Sequence, residues 1–235
     1  MWAGPRNIST ALMRSFENRE DTFVSDEPFY AHYLHKINID HPMREKVIAS
    51  GNTHWDEVTQ YLTGSIPQGK SVWYQKLMAQ HNLPSVDLDW TSKLVNCFLI
   101  RHPREVILSY SKKYEITSVF QLGFPQQSEL YNKIEQDTGN ASIVIDSKDI
   151  LMNPKNMLQK LCEKLDIPYS EKMLSWPPGK RDSDGVWGHH WYGNVEKSTG
   201  FHAYKKNDEK IPKEYQKIYA ECLEYYQQLY EWRIR

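Results

Sequence analysis

Cysteine is scarce in this 235-residue sequence: Cys97, Cys162 and Cys222 stand far apart, in apolar or helical contexts. That leaves no disulfide framework and no zinc-ligand spacing, and it points to a reducing compartment. Long hydrophobic runs are missing as well. With a mean hydropathy of −0.71, nothing in the chain reads as a membrane span. Neither sign of charge is in excess, with 29 basic against 30 acidic residues. A broad nucleic-acid-binding surface is therefore not expected, whereas a local basic pocket for a small anion is compatible with the balance. No secretory leader is apparent, because Met1 passes directly into polar, glycine-containing sequence. Internal repeats and low-complexity tracts are lacking too. The expectation is one cytoplasmic globular domain over residues 1–235, with neither nucleic acid nor membrane as partner. What the chain does have in quantity is aromatic residues, including 8 Trp and 15 Tyr, a composition suited to a pocket for an organic ligand.

The apolar pattern predicts strands separated by helices. Residues 94–100 are almost continuously apolar, as in a parallel strand covered on both faces. Shorter strands are expected at 1–3, 22–25, 71–75 and 142–146. The first is short for a strand in mid-sheet: either the chain starts later than the fold favours, or its true start lies upstream. Helices are expected at 11–16, 29–35 and 104–113, from Pro154 to Leu165, and from Pro212 to about Trp232, with residues 38–69 polar and mostly helical. This is an α/β pattern: three layers, with a mostly parallel five-stranded sheet between helices. Ligands of such folds bind beyond the carboxyl ends of the strands, which gathers the loops at 4–10, 26–28 and 101–104, and the residues after Gln75, at one edge.

The stretch from Trp2 to Phe16 carries the first chemical signal. Gly4 and Pro5 make a turn, and Asn7, Ser9 and Thr10 precede or open a helix. Backbone N–H groups at such a helix start lack intrahelical partners and sit at the positive end of the dipole. Arg6 adds a full charge, and Ser9 and Thr10 add hydroxyl donors, which together make an anion site. An ordinary capped helix with a surface arginine would contain the same residues, and the full G-x-x-x-x-G-K-[ST] pattern is absent.

The strand ending at Ile100 is followed by Arg101, where a P-loop kinase or GTPase would usually place an aspartate for magnesium. A cation there favours a second anion. With Ser109 further on, it suits a ligand carrying two separated phosphate-like groups. A plain salt bridge from Arg101 to a neighbouring acid, with Ser109 on an exposed helix face, accounts for the same residues.

Three segments resemble the sulfotransferases that use 3′-phosphoadenosine 5′-phosphosulfate: the first loop at 4–10, residues 98–109 (Phe-Leu-Ile-Arg-His-Pro-Arg-Glu-Val-Ile-Leu-Ser) and residues 184–191 (Asp-Gly-Val-Trp-Gly-His-His-Trp). The resemblance runs through most of the chain and is loosest from 38 to 69. It implies a P-loop NTPase-like fold. It assigns Arg6, Asn7, Ser9 and Thr10 to the phosphosulfate, Arg101 and Ser109 to the 3′-phosphate, and Lys180, Arg181 and Gly185 to a late loop over that phosphate. Arg6 stands where the cytosolic enzymes have lysine, which favours bacterial or carbohydrate-type relatives.

The implied reaction is a metal-independent, in-line transfer of a sulfonate to a hydroxyl or amine, and it needs a general base. Glu27 is the preferred candidate, His81 the second, and Lys76 a sulfonate ligand. Each has a plainer reading: Glu27 as a helix cap, His81 as a solvent-facing side chain. No metal site is expected, because His32/His35 and His189/His190 lack an acidic partner at zinc spacing. Trp187 and Trp191 either stack on a ligand or, preferentially, pin their loop to the core. The acceptor, whether small molecule, glycan or peptide, is expected against residues 38–69 and 185–201. The alternatives are a P-loop kinase or nucleotide hydrolase, with Asp146 as its strand-end acid, and a non-catalytic nucleotide-binding module on a decayed scaffold.

Overall fold

A computed structural model describes residues 1–37, 39, 41–84 and 86–235. Five strands, β1 (Trp2–Ala3), β2 (Thr22–Asp26), β3 (Val72–Met78), β4 (Cys97–Ile100) and β5 (Ile143–Asp146), form one sheet in the order β2-β3-β1-β4-β5, and every neighbouring pair is parallel. The helices are α1 (Ser9–Glu17), α2 (Tyr30–Lys36), α3 (Arg44–Ser50), α4 (Trp55–Leu62), α5 (Pro103–Tyr110), α6 (Phe124–Thr138), α7 (Ser147–Met152), α8 (Pro154–Lys164), α9 (Gly188–Trp191) and α10 (Gln216–Glu231).

Alternation along the strands creates the three layers. Trp2, Leu77, Phe98 and Val144 belong to one buried cluster with Val106, Leu130 and Cys222, residues of α5, α6 and α10. Ala3, Leu99 and Ile145, the next residues along, join Leu12 and Leu158 of α1 and α8 on the opposite face. Because the side-chain period of a strand is two, neighbouring residues supply the two faces, and a central strand therefore reads as continuously apolar. No helix among the described residues is long and apolar enough to cross a membrane.

Several expectations need adjustment. Strand β3 continues to Met78, so Lys76 lies within it rather than in a following loop, and β4 begins only at Cys97. Helix α6 was not legible as a helix. Its buried face includes Gln127 and Ser128 as well as Phe124, Leu130 and Ile134, which hides the apolar stripe. Gln127 belongs there because its amide donates to the Leu99 carbonyl at 3.0 Å. Helix α7 is also additional, and it is capped by Asp146, which accepts from the Lys148 N–H at 2.7 Å. The helical character expected for 38–69 resides in α3 and α4, while Asn38 lies outside the described residues.

Candidate active site

The chain leaves β1 and reaches α1 through a loop with two left-handed residues, Arg6 (φ 64°) and Ile8 (φ 59°). Left-handed residues alternating with others turn backbone N–H groups inward and make an anion-binding concavity. The loop is fixed from below: Asn7 Nδ2 donates to the Leu99 carbonyl and Ser147 Oγ to the Asn7 carbonyl, each at 3.0 Å. Gly4 is required at its start, since a Cβ there would stand 2.7 Å from the Leu122 carbonyl oxygen. Ser9 and Thr10 line the cavity that the loop faces.

Arg101 reaches the same loop. Its Nη1 donates to the Arg6 carbonyl at 2.6 Å, and Arg6 Nε donates to Ser109 Oγ at 2.9 Å. The plainer reading of Arg101 also holds, because its Nε bonds Glu105 at 2.9 Å. Burial first, and then the adjacent Arg101 guanidinium, hold Arg6 below its ordinary pKa. Two half-buried guanidiniums side by side create a positive potential that favours an anion between them.

Across the cavity, β2 ends in Asp26 and is followed by Glu27 in a left-handed conformation (φ 44°). Lys76 Nζ donates to Asp26 Oδ1 at 2.8 Å, to Glu27 Oε1 at 2.5 Å and to the Tyr192 hydroxyl at 2.7 Å. All three ammonium protons are engaged, so Lys76 has none left for a sulfonate in this conformation. Its pKa is raised: burial opposes the charge, but Asp26 and Glu27 outweigh it. Burial pushes the Glu27 carboxyl up, with Lys76 opposing and Asp26 adding. His81 is not solvent-facing. It is 2 % exposed and stacks on Tyr30 and Tyr33, with ring centroids 4.7 and 4.8 Å away. Its Nε2 is 4.0 Å from Glu27 Oε2, and burial and then Lys76 hold it well below the ordinary histidine pKa, hence neutral.

The late loop is built differently from expectation. Lys180 lies 2.9 Å from His189 Nδ1, and Arg181 bonds the Pro177 carbonyl and approaches Glu17 at 3.7 Å. The Gly185 N–H donates to Asp26 Oδ2 at 3.3 Å. None of the three lines the cavity of Arg6 and Arg101; Gly185 borders a neighbouring cavity of about 400 Å³. Ser198, Gly200, Phe201 and His202 occupy that rim instead. The following segment is tied to Arg101 through Glu105, which accepts from the Tyr204 hydroxyl at 2.8 Å. Trp187 is buried and donates to the Tyr192 hydroxyl at 3.0 Å, so it pins the loop, whereas Trp191 lines the cavity. His32 bonds the Thr53 carbonyl and His190 the Tyr114 hydroxyl, so both have packing partners.

A single cavity of about 680 Å³ is thus lined by Arg6, Asn7, Ser9, Thr10, Arg101 and Ser109 on one side and by Glu27, Lys76 and His81 on the other. The size is that of a pocket for an organic ligand. A family model described as a sulfotransferase domain matches residues 1–230. The chain belongs to the sulfotransferase domain family. Solved sulfotransferase domains from the Synechococcus PCC 7002 olefin synthase (TM-score 0.58, 15 % identity, covering 95 % of this chain and 91 % of that one) and from the curacin biosynthetic pathway (TM-score 0.52, 15 % identity, covering 94 % and 95 %) share the fold. That fold is the P-loop NTPase-like α/β arrangement. Among curated proteins, this sulfotransferase domain is similar to the branched-chain-amino-acid aminotransferase-like proteins 1 and 2 of Arabidopsis thaliana, at 34 % identity over 214 residues and 29 % over 225. These alignments cover 90 % and 96 % of the chain, which spans only about two fifths of the relatives' own length (38 % and 40 %).

Proposed function

We propose that this sulfotransferase domain uses 3′-phosphoadenosine 5′-phosphosulfate and transfers its sulfonate to a hydroxyl or amine, with Glu27 as general base. The observation that carries the reading is the bond from the Arg101 guanidinium to the Arg6 carbonyl, which joins two basic positions 95 residues apart at one cavity wall. The fit to a doubly anionic nucleotide rests on that juxtaposition, on the left-handed turn at Arg6 and Ile8, and on the Ser9 and Thr10 hydroxyls at the cavity. The donor supplies an activated sulfonate. The loop at 6–10 holds its phosphosulfate end, and Arg101 and Ser109 hold the 3′-phosphate. Arg6 stabilises charge developing on the leaving phosphate. Glu27, with Oε1 fixed by Lys76 and Oε2 4.0 Å from His81 Nε2, takes the acceptor proton.

A kinase or nucleotide-hydrolase reading is weaker, because Asp146 is only 1 % exposed and its two oxygens already accept from Tyr226 and Lys148. Thermal melts separate the readings. The product nucleotide, 3′-phosphoadenosine 5′-phosphate, is expected to raise the Tm without magnesium, ATP with magnesium much less, and Arg101→Ala is expected to abolish the rise. Equal stabilisation by both nucleotides, or by neither, overturns the donor assignment. Binding without turnover of any hydroxyl or amine acceptor would leave a nucleotide-binding module.

A further inference from the structure

We propose that the acceptor is a flat aromatic ring bearing a hydroxyl group, carrying no negative charge; this rests on the sulfotransferase reading of the same cavity. Two groups of rings line the cavity around Glu27 and Arg6. One is the stack of Tyr30, His81 and Tyr33, nearly parallel at interplanar angles of 19° and 28°. It adjoins the base, with His81 4.0 Å from Glu27 and the Tyr30 N–H donating to the Glu27 carbonyl. The other is Tyr110, Tyr114 and Trp191, with successive centroids 5.6 and 5.1 Å apart, and Tyr114 stands close enough to Arg6 for the guanidinium to act on its phenol. The groups meet where burial and the neighbouring Tyr110 push the Tyr33 phenol up to about 12. These rings therefore stay neutral at physiological pH.

Charge at this end excludes anions. The Lys76 ammonium is opposed by two carboxylates, Asp26 and Glu27, and Glu115 joins Glu27 in the lining. Arg6 and Arg101, the remaining Lys/Arg cations among the described lining residues, belong to the donor wall. A carboxylated or sulfated acceptor would bring a like charge against Glu27 with no cation to receive it. An aromatic ring placed among these side chains gains offset-stacked or edge-to-face contacts with them. Proton affinity points the same way. A carboxylate base with a raised pKa is better matched to a phenol, of pKa about 10, than to the much less acidic aliphatic alcohol. In the transfer, the phenol oxygen bonds to sulfur and its proton goes to Glu27. The bond from sulfur to the 5′-phosphate oxygen breaks, and that electron pair leaves with the phosphate.

Calorimetric titration of the protein loaded with 3′-phosphoadenosine 5′-phosphate tests this with three probes: 2-naphthol, decahydro-2-naphthol and 6-hydroxy-2-naphthoate. Ring stacking predicts 2-naphthol to bind roughly five- to tenfold more tightly than its saturated analogue, and the carboxylate to bind at least as weakly as that analogue. Tyr33→Leu and Trp191→Leu, made separately, should each shrink the preference for the planar probe. The proposal is overturned if either competitor equals 2-naphthol, if no probe binds the nucleotide-loaded protein, or if neither variant changes the preference. Failure of the nucleotide to bind would instead sink the donor reading, and the same three titrations on the free protein would still judge the ring preference.

Discussion

Lys76 illustrates how one buried residue can set the behaviour of another. Its ammonium is held among Asp26, Glu27 and Tyr192 with no proton free, so its effect on catalysis comes through Glu27. In its proposed role as base Glu27 must be ionised to accept a proton, and its raised pKa would place the acid limb of the turnover profile above the ordinary carboxylate range. The Tyr192 hydroxyl, 3.5 Å from Glu27 Oε1, works against that rise. Tyr192→Phe is therefore expected to move the acid limb of kcat to higher pH, while Glu27→Gln keeps nucleotide binding and lowers kcat by roughly 10²–10⁴-fold. Both are read from kcat against pH at saturating donor. A Glu27→Gln enzyme that is fully active would pass the base role to neutral His81. A Tyr192→Phe profile superimposable on the native one would remove Tyr192 from the network's function.

The late segment around α9 has little secondary structure, so what orders it are side-chain anchors. Arg14 of α1 is 1 % exposed and binds both oxygens of Asp184, at 2.5 and 2.7 Å. With Asp184 gone the buried Arg14 loses both bonds from Nη2 but keeps Glu17, 3.1 Å from Nη1, as a charged partner, so Asp184→Ala should cost about 1.5–3 kcal/mol in chemical denaturation. The double variant Arg14→Met/Asp184→Leu, which removes both charges, should recover much of that. No recovery would mean that the pair holds the segment by geometry rather than by charge balance. These anchors also mark what could be read in the sequence. Strand–helix alternation, the loop at 4–10 and the helix start at 101–104 were legible, because apolar period and helix-start chemistry are local. Lys180 and Arg181 were named through the family resemblance, and their placement outside the cavity lining was not legible because an irregular loop carries charge but no direction in its sequence. Helix α6 was hidden by Gln127, whose polar side chain is buried for the sake of a carbonyl at the end of β4. The ring-lined part of the cavity was equally hidden, since its rings come from α2, from the turns after β3 and α5, from α5 itself and from α9, stretches distant in sequence that only the fold brings together.

The molecule as a whole packs two apolar layers onto one sheet, and the carboxyl end of β5 leaves a carboxylate between the sheet and α10. Asp146 accepts from the Tyr226 hydroxyl at 2.8 Å and from the Lys148 N–H at 2.7 Å, yet burial pushes its carboxyl up to about 6. The folded protein then binds a proton at this site that the unfolded chain, with an ordinary aspartate near 3.8, has already released. Between those two values the native state holds more protons than the unfolded one, so this group's contribution to stability falls as pH rises from about 4 to 6 and is level above. The full fall across that window amounts to roughly 3 kcal/mol. The native curve alone will not display this slope, because His81, held well below its ordinary value, acts in the opposite direction: the unfolded chain protonates it first, and its contribution falls as pH drops below 6.5. The difference between variants isolates the aspartate. Asp146→Asn keeps an acceptor for the Lys148 cap but cannot ionise, so its stability relative to the native protein should rise across pH 4 to 6 and then stay constant. Denaturation curves of both proteins at half-unit pH intervals measure that difference. A flat difference would mean that Tyr226 and the α7 cap already offset the burial of the charge, and a difference that falls with pH would mean that the ionised aspartate stabilises the fold.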